Sequence, residues 1–340
     1  MGGYLPVADE VFRLQSGDGP ECRFFRVMAT DGKRPEPNPN RTLQGIYCFA
    51  PSGRRLGSIL SNDPAAVAAM IERSTAVWEE LPDAERYPSE SHSADLAGRV
   101  RYEWSYPEDG LVLRVTSRDL PREEGEARRR WNHDHAWFRK SEVLSMLPGS
   151  RTVGARHRIP SALGERLARF HFVDNMRGQT IAFDESDVRE VDWTSEIVGV
   201  SDGELRVRFE GRTLAEGTRG WRRYGGSPRQ ERVEPRGVGT HFRGYATFDL
   251  ERERFTDFDL LALGARWGAA GFNGRSRDLA PSPFGMVLQL APDRPSDRVP
   301  PAFFQLYGFA ESTRRNWASL EPEAAPKRSD SEESEAGARR

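Results

Sequence analysis

Two stretches in the second half of the chain leave it little choice of architecture. Val191, Trp193 and Ile197 alternate with polar neighbours, Ser201, Asp202, Gly203 and Glu204 make a turn, and Leu205, Val207 and Phe209 return against Arg206, Arg208 and Glu210. Further on, Phe242, Ala246, Phe248 and Leu250 are set against Phe258, Leu260 and Ala262 across residues 251–254. Successive side chains of a strand point to opposite faces, so each run carries one apolar face, and each short polar link turns one run back on the next. Consecutive hairpins of this kind predict an antiparallel sheet curled over a few helices, or partly closed like a barrel.

The same period is read earlier. Val100, Tyr102, Trp104 and Tyr106 alternate with polar neighbours, residues 107–110 turn the chain, and Leu111, Leu113 and Val115 follow, which predicts another hairpin. Residues 286–290 and 303–307 are candidates for edge strands. Ser141 is a candidate cap for a short helix carrying Val143, Leu144 and Leu147, and a second helix is expected over 160–173. Its buried stripe is Leu163, Leu167 and Phe170, with His171 and Asp174 at the edge.

The first 85 residues follow a different pattern. Residues 7–15 read as a short helix, 22–28 as a strand, and 35–40 as a Pro- and Asn-rich loop. Residues 45–50 and 55–60 flank the turn of Pro51, Ser52 and Gly53 as a hairpin. Asp63 then caps, and Pro64 opens, a helix with Val67, Met70, Ile71, Val77, Trp78 and Leu81 on one face. This order resembles a thioredoxin-like domain lacking its first strand, over roughly residues 1–85. The resemblance implies a Cys-x-x-Cys pair where this chain has Gly2, Gly3, Tyr4, Leu5 and Pro6, and a cis-proline where it has Thr42, Leu43, Gln44 and Gly45. Dithiol exchange needs a low-pKa thiolate beside a resolving thiol. Cys22 and Cys48 lack that spacing, so the resemblance carries the scaffold and not the chemistry.

The fold class expected is therefore α+β: an incomplete thioredoxin-like unit over 1–85, a linker over 86–98, an antiparallel β-rich domain with a few helices over 99–318, and a disordered tail over 319–340. Fifty basic residues against 52 acidic give a net charge of -2, which supplies no long-range field toward nucleic acid or anionic lipid. Only Lys33, Lys140 and Lys327 are lysines. So strong an arginine bias lowers the weight of any one arginine cluster, including the one interleaved with aromatics in 211–243. The start lacks the basic and apolar runs of a signal peptide, and no run approaches the ~20 apolar residues of a membrane span. A cytoplasmic location is expected as written, and export if the true start lies upstream of Met1.

Residues that could do chemistry converge locally at one place, Trp131, Asn132, His133, Asp134, His135, Ala136 and Trp137. His133 and His135 share a strand face, and Asp134 or a remote His171, Asp174 or His241 would complete a divalent-metal site. Trp131, Asn132 and Trp137 are candidates for binding a ligand, or for anchoring the loop by ring burial. His171 is a candidate general base oriented by Asp174, three residues on along the helix. Asp257 and Asp259 share a face that the alternation makes polar. No phosphate-binding loop, dinucleotide glycine fingerprint or nucleophile elbow is present. No cofactor is predicted beyond that possible metal. The leading reading is a non-catalytic two-domain protein whose β-rich domain binds a small molecule or a protein partner. The alternatives are an enzyme using His133, His135, His171 and Asp174, and a thioredoxin-like redox protein truncated at its N-terminus.

Overall fold

The computed structural model describes residues 4, 11–16, 19–33, 36–37, 42–61, 63–88, 105–121, 131–217, 221–222, 231–232, 235–270, 273–294 and 297–309. The chain divides into two compact units, Met1–Val100 and Arg101–Arg340. The expected linker over 86–98 and tail over 319–340 fall almost wholly outside the described residues, as does most of the arginine-rich stretch 218–234.

In the first unit the described elements are helices α1 (Val11–Ser16) and α2 (Pro20–Thr30), strands β1 (Ile46–Phe49) and β2 (Arg55–Ile59), and helices α3 (Pro64–Glu80) and α4 (Asp83–Arg86). Residues 22–28, expected as a strand, lie inside α2. Pro20 occupies its first turn, and Cys22, Phe25, Met28 and Ala29 fall at helical spacing and are buried together. Asp31, in the left-handed region, ends the helix while the Gly32 N–H donates to the Val27 carbonyl at 2.8 Å. The hairpin β1–β2 lies between α2 and α3. Phe24 meets Phe49 and Phe25 meets Tyr47 edge to face on one side. On the other, Gly57 is so close to α3 that a Cβ there would sit 2.3 Å from the Ser74 hydroxyl. The cap expected for α3 is present, with the Asp63 carboxylate accepting the Ala65 N–H at 3.1 Å. Both cysteines are buried and no disulfide joins them.

The second unit is built on one eight-stranded antiparallel sheet, in the order β4-β3-β12-β11-β10-β7-β6-β5. Its strands are β3 (Leu111–Asp119), β4 (Trp131–Phe138), β5 (Arg156–Arg158), β6 (Val188–Ser201), β7 (Glu204–Gly217), β10 (Arg236–Asp249), β11 (Arg254–Trp267) and β12 (Ser282–Leu290). A separate minute pair is formed by β8 (Trp221–Arg222) and β9 (Glu231–Arg232). The two hairpins of the alternation are present as β6–β7 and β10–β11, with Phe242 opposite Ala262 and Ala246 opposite Phe258. Asp202 and Gly203 turn the first with positive φ at both positions, the requirement of a tight two-residue hairpin.

Several expectations are corrected. Both edges of β3 are taken, by β12 and β4, and residues 99–104 of the hairpin expected before it lie outside the described residues. β12 is an inner strand rather than an edge, hydrogen-bonded on both sides. Residues 303–307 contain a 3-10 turn, Phe304–Leu306, and no strand. The short helix is α5 (Lys140–Ser145), capped at Arg139, whose N–H donates to Glu142, and not at Ser141. The second helix is α6 (Ser161–Arg166), which runs directly into a π-helical turn, Leu167–His171.

One apolar cluster joins the inner face of every long strand to this helical layer. Leu113, Ala136, Ile197, Val207, Phe242, Leu260 and Met286 from the strands meet Val143, Leu163, Leu167 and Phe172. The outer face of β6, β7, β10 and β11 is latticed by cross-strand ion pairs such as Arg212 with Glu190 and Arg206 with Asp257. Among the described residues no helix is long and apolar enough to cross a membrane.

Candidate functional site

On β4 the alternation sends Asn132, Asp134, Ala136 and Phe138 inward and Trp131, His133, His135 and Trp137 outward. Asp134 thus enters a largely apolar interior and needs a partner. It has two. Its Oδ2 lies 3.2 Å from His171 Nδ1, and its Oδ1 accepts the Ala302 N–H at 2.9 Å. His171 Nε2 in turn is hydrogen-bonded to the Tyr307 hydroxyl, and that oxygen is also hydrogen-bonded by the Trp137 backbone. The donors run consistently in one direction: Trp137 N–H to Tyr307, Tyr307 O–H to His171 Nε2, His171 Nδ1–H to Asp134.

The chain of three is closed off. His171 is 1% exposed and Tyr307 7%. Burial, and then the negative charge of Asp134, push the Tyr307 phenol well above its ordinary value, so it stays protonated and donating. Phe170 stacks on the Tyr307 ring and the Arg166 guanidinium lies over it at 4.9 Å. Arg166 is held by both oxygens of Glu142 and also donates to the Trp137 carbonyl at 3.2 Å. Tyr307 and Arg166 between them therefore occupy the outward backbone groups of Trp137 on β4, which is an edge strand of the sheet.

His171 was expected at the edge of its helix with Asp174 as its orienter, and both points are corrected. Its position four residues after Leu167 places it within the buried stripe. Asp174 points elsewhere, onto Arg275, whose Nε and Nη2 donate to it at 2.8 and 2.9 Å. This arginine is fully buried and also grips Asp119 through both terminal nitrogens. Arg177 donates to Asp119 at 2.7 Å and lies 2.9 Å from Asp278, which Arg266, also fully buried, contacts at 2.6 Å. Three arginines and three aspartates thus neutralise one another inside the sheet. Burial acts to raise the Asp119 carboxyl, but the bonds from Arg275 and Arg177 outweigh it and hold the group below its ordinary value. At Asp174 burial prevails over the same arginine and pushes the carboxyl up.

The proposed metal set does not assemble. His133 is exposed, hydrogen-bonded to Thr116 and packed edge to face on Trp131, which is 57% exposed. His135 is buried on the outer side, 3.4 Å from Asp297, which also holds Arg114 at 2.5 Å. Asp134 faces the opposite side of the strand. His241 is exposed on β10, four strands from β4, or roughly 19 Å at ~4.8 Å per strand. Among the described residues no group of three or more His, Cys, Asp or Glu is placed to hold a metal ion. Of the binding candidates, Asn132 donates to the Asn175 carbonyl at 2.9 Å, and Trp137 is wholly buried between Tyr106 and Phe304. Those two anchor the fold.

Sequence reasoning missed Tyr307, Arg275, Asp119 and Asp297. A signal existed for Asp119, which follows Leu111, Leu113, Val115 and Ser117 on the inward parity of β3. An acid on an apolar parity calls for a buried partner. A cleft on the outer face, about 180 Å³ in volume, lies over β5, β6 and β7 and is lined by Arg156, Arg158, Arg208, Glu196 and their neighbours. No family model, no curated protein and no solved structure matches this chain.

Proposed function

We propose that the chain is a non-catalytic binding protein, in which the second unit is a rigid β-scaffold and the first a thioredoxin-like scaffold without dithiol chemistry. The observation that carries this reading is the closure of the Asp134–His171–Tyr307 chain. Acid–base catalysis requires a proton donor or acceptor within hydrogen-bond reach of a substrate atom. Here His171 has both ring nitrogens engaged by protein groups, and Tyr307 and Asp134 are likewise committed. The three act as a bolt that fastens the π-helical turn and residues 302–309 to the edge of the sheet.

The first unit supports the reading in its own way: Cys22 and Cys48 are buried in separate elements, α2 and β1. A second reading, a His/Asp-based enzyme, draws on the Asp134–His171 pairing itself, which has the arrangement of an orienting carboxylate behind a base. Turnover of generic ester, phosphate-ester and alcohol substrates by the full chain and by Tyr307→Phe separates the two. The binding reading expects no turnover by either protein. Turnover by the natural chain that is lost in Tyr307→Phe would overturn it.

A further inference from the structure

Elsewhere on the outer face Arg212 is matched with one carboxylate, Glu190, at 2.6 Å. The cleft over β5–β7 breaks this pattern. Arg156 Nε and Arg208 Nη2 both use the same oxygen of Glu196, at 2.7 and 2.8 Å. Arg158 comes no closer than 3.7 Å to Asp192, beyond hydrogen-bond length. Arg208 Nε is buried, has no hydrogen-bond acceptor, and lies 3.6 Å from Glu210. Arg156 and Arg208 therefore share one carboxylate oxygen, and the ion pairs of Arg158 with Asp192 and of Arg208 Nε with Glu210 are too long to be hydrogen bonds, so N–H groups are left over on each guanidinium. Arg156 and Arg158 are two apart on β5, so both project from the same face, and their side chains are 73% and 74% exposed.

We propose that this cleft binds a small oxyanion of the phosphate class, with Arg156 and Arg158 closing on it from the rim and Arg208 from the floor. Planar guanidiniums with unused N–H groups match tetrahedral oxyanions through paired, charge-assisted hydrogen bonds. With their ion-pair partners counted, four guanidiniums, Arg156, Arg158, Arg208 and Arg243, stand against three carboxylates, Glu196, Glu210 and Asp192, an excess of one positive charge that an anion neutralises. A volume of about 180 Å³ takes a phosphate group with some of its hydration, and falls below the ~300 Å³ at which sites for drug-sized molecules begin. The anion is either inorganic phosphate or the terminal phosphate of a small ester. The proposal rests on the reading of the second unit as a binding domain.

The test is calorimetric titration of the full chain with inorganic phosphate, with glycerol phosphate and with acetate, all at one ionic strength. Saturable binding of phosphate, with acetate at least roughly 10-fold weaker, is expected. Tighter binding of glycerol phosphate than of phosphate identifies the ester, and the reverse identifies the free ion. The variant Arg156→Ala/Arg158→Ala changes exposed side chains on a three-residue edge strand, so it keeps its melting temperature and weakens phosphate binding roughly 10-fold or more. Glu196→Gln removes the competing carboxylate and strengthens binding. Absence of saturable binding, binding equal for acetate and phosphate, or binding indifferent to the double variant would overturn the proposal. None of those results bears on the turnover test of Tyr307→Phe, so the two readings fail separately.

Discussion

Tyr307→Phe deletes one oxygen and leaves two buried groups, His171 Nε2 and the Trp137 N–H, without a partner. Each such loss costs about 1–3 kcal/mol, and a unit of this size shifts its melting point by roughly 2–4 °C per kcal/mol. A drop of several degrees in thermal melts is the expected outcome, with phosphate binding at the cleft unchanged. Asp119 supplies a pH prediction whose sign follows from its depressed carboxyl. The unfolded chain takes up the proton first, so the ion-pair stabilisation is complete above the unfolded value of about 3.9 and is lost as pH falls through the lower folded value. Melting temperatures followed from pH 7 to pH 3 should fall steeply at the acid end for the natural chain and less steeply for Asp119→Asn, which starts lower. Arg275→Met strips two buried aspartates of their main partner, and a loss of about 3–5 kcal/mol in denaturant unfolding is expected. Histidine chemistry was only partly legible at this scale. Residues 131–137 and His171 were joined only in the enzyme alternative; sequence separation hid Tyr307, and helical proximity suggested Asp174 where the sheet supplied Asp134.

At the scale of elements, strands were easier to read than partners. The hairpins β6–β7 and β10–β11 were legible because alternation and turn chemistry are local properties of the chain. The position of β12 between β3 and β11 was not, because pairing partners far apart in sequence leave no mark on periodicity. Residues 22–28 were misread for a related reason: seven residues with apolar positions at 22, 24, 25, 27 and 28 fit both periods, and Pro20 was the deciding signal for a helix. Close packing gives the elements of the first unit their own test. Gly57→Ala inserts a methyl group where the Ser74 hydroxyl stands, so a destabilisation of about 1–3 kcal/mol is expected from overpacking of β2 on α3. A substitution at Gly203 would instead act through its positive φ, since nothing crowds its missing side chain.

For the whole molecule, the α+β class and the large antiparallel sheet were legible in the sequence, and the use of the interior was not. The sheet's inner face is divided between an apolar end, where Phe209, Phe255 and Phe258 pack ring on ring, and a polar end carrying the aspartate–arginine cluster and the His171 bolt. A polar interior of this extent invites a catalytic reading, and the closure of the Asp134–His171–Tyr307 hydrogen bonds argues for a structural one. Hydrogen–deuterium exchange at the C2 position of the histidine rings, resolved by mass spectrometry on the full chain, tests that closure directly. Exchange at His171 much slower than at the exposed His133 and His241 is the result expected of a sealed bolt. Comparable rates at all three rings would show that solvent reaches His171, and would contradict the non-catalytic account.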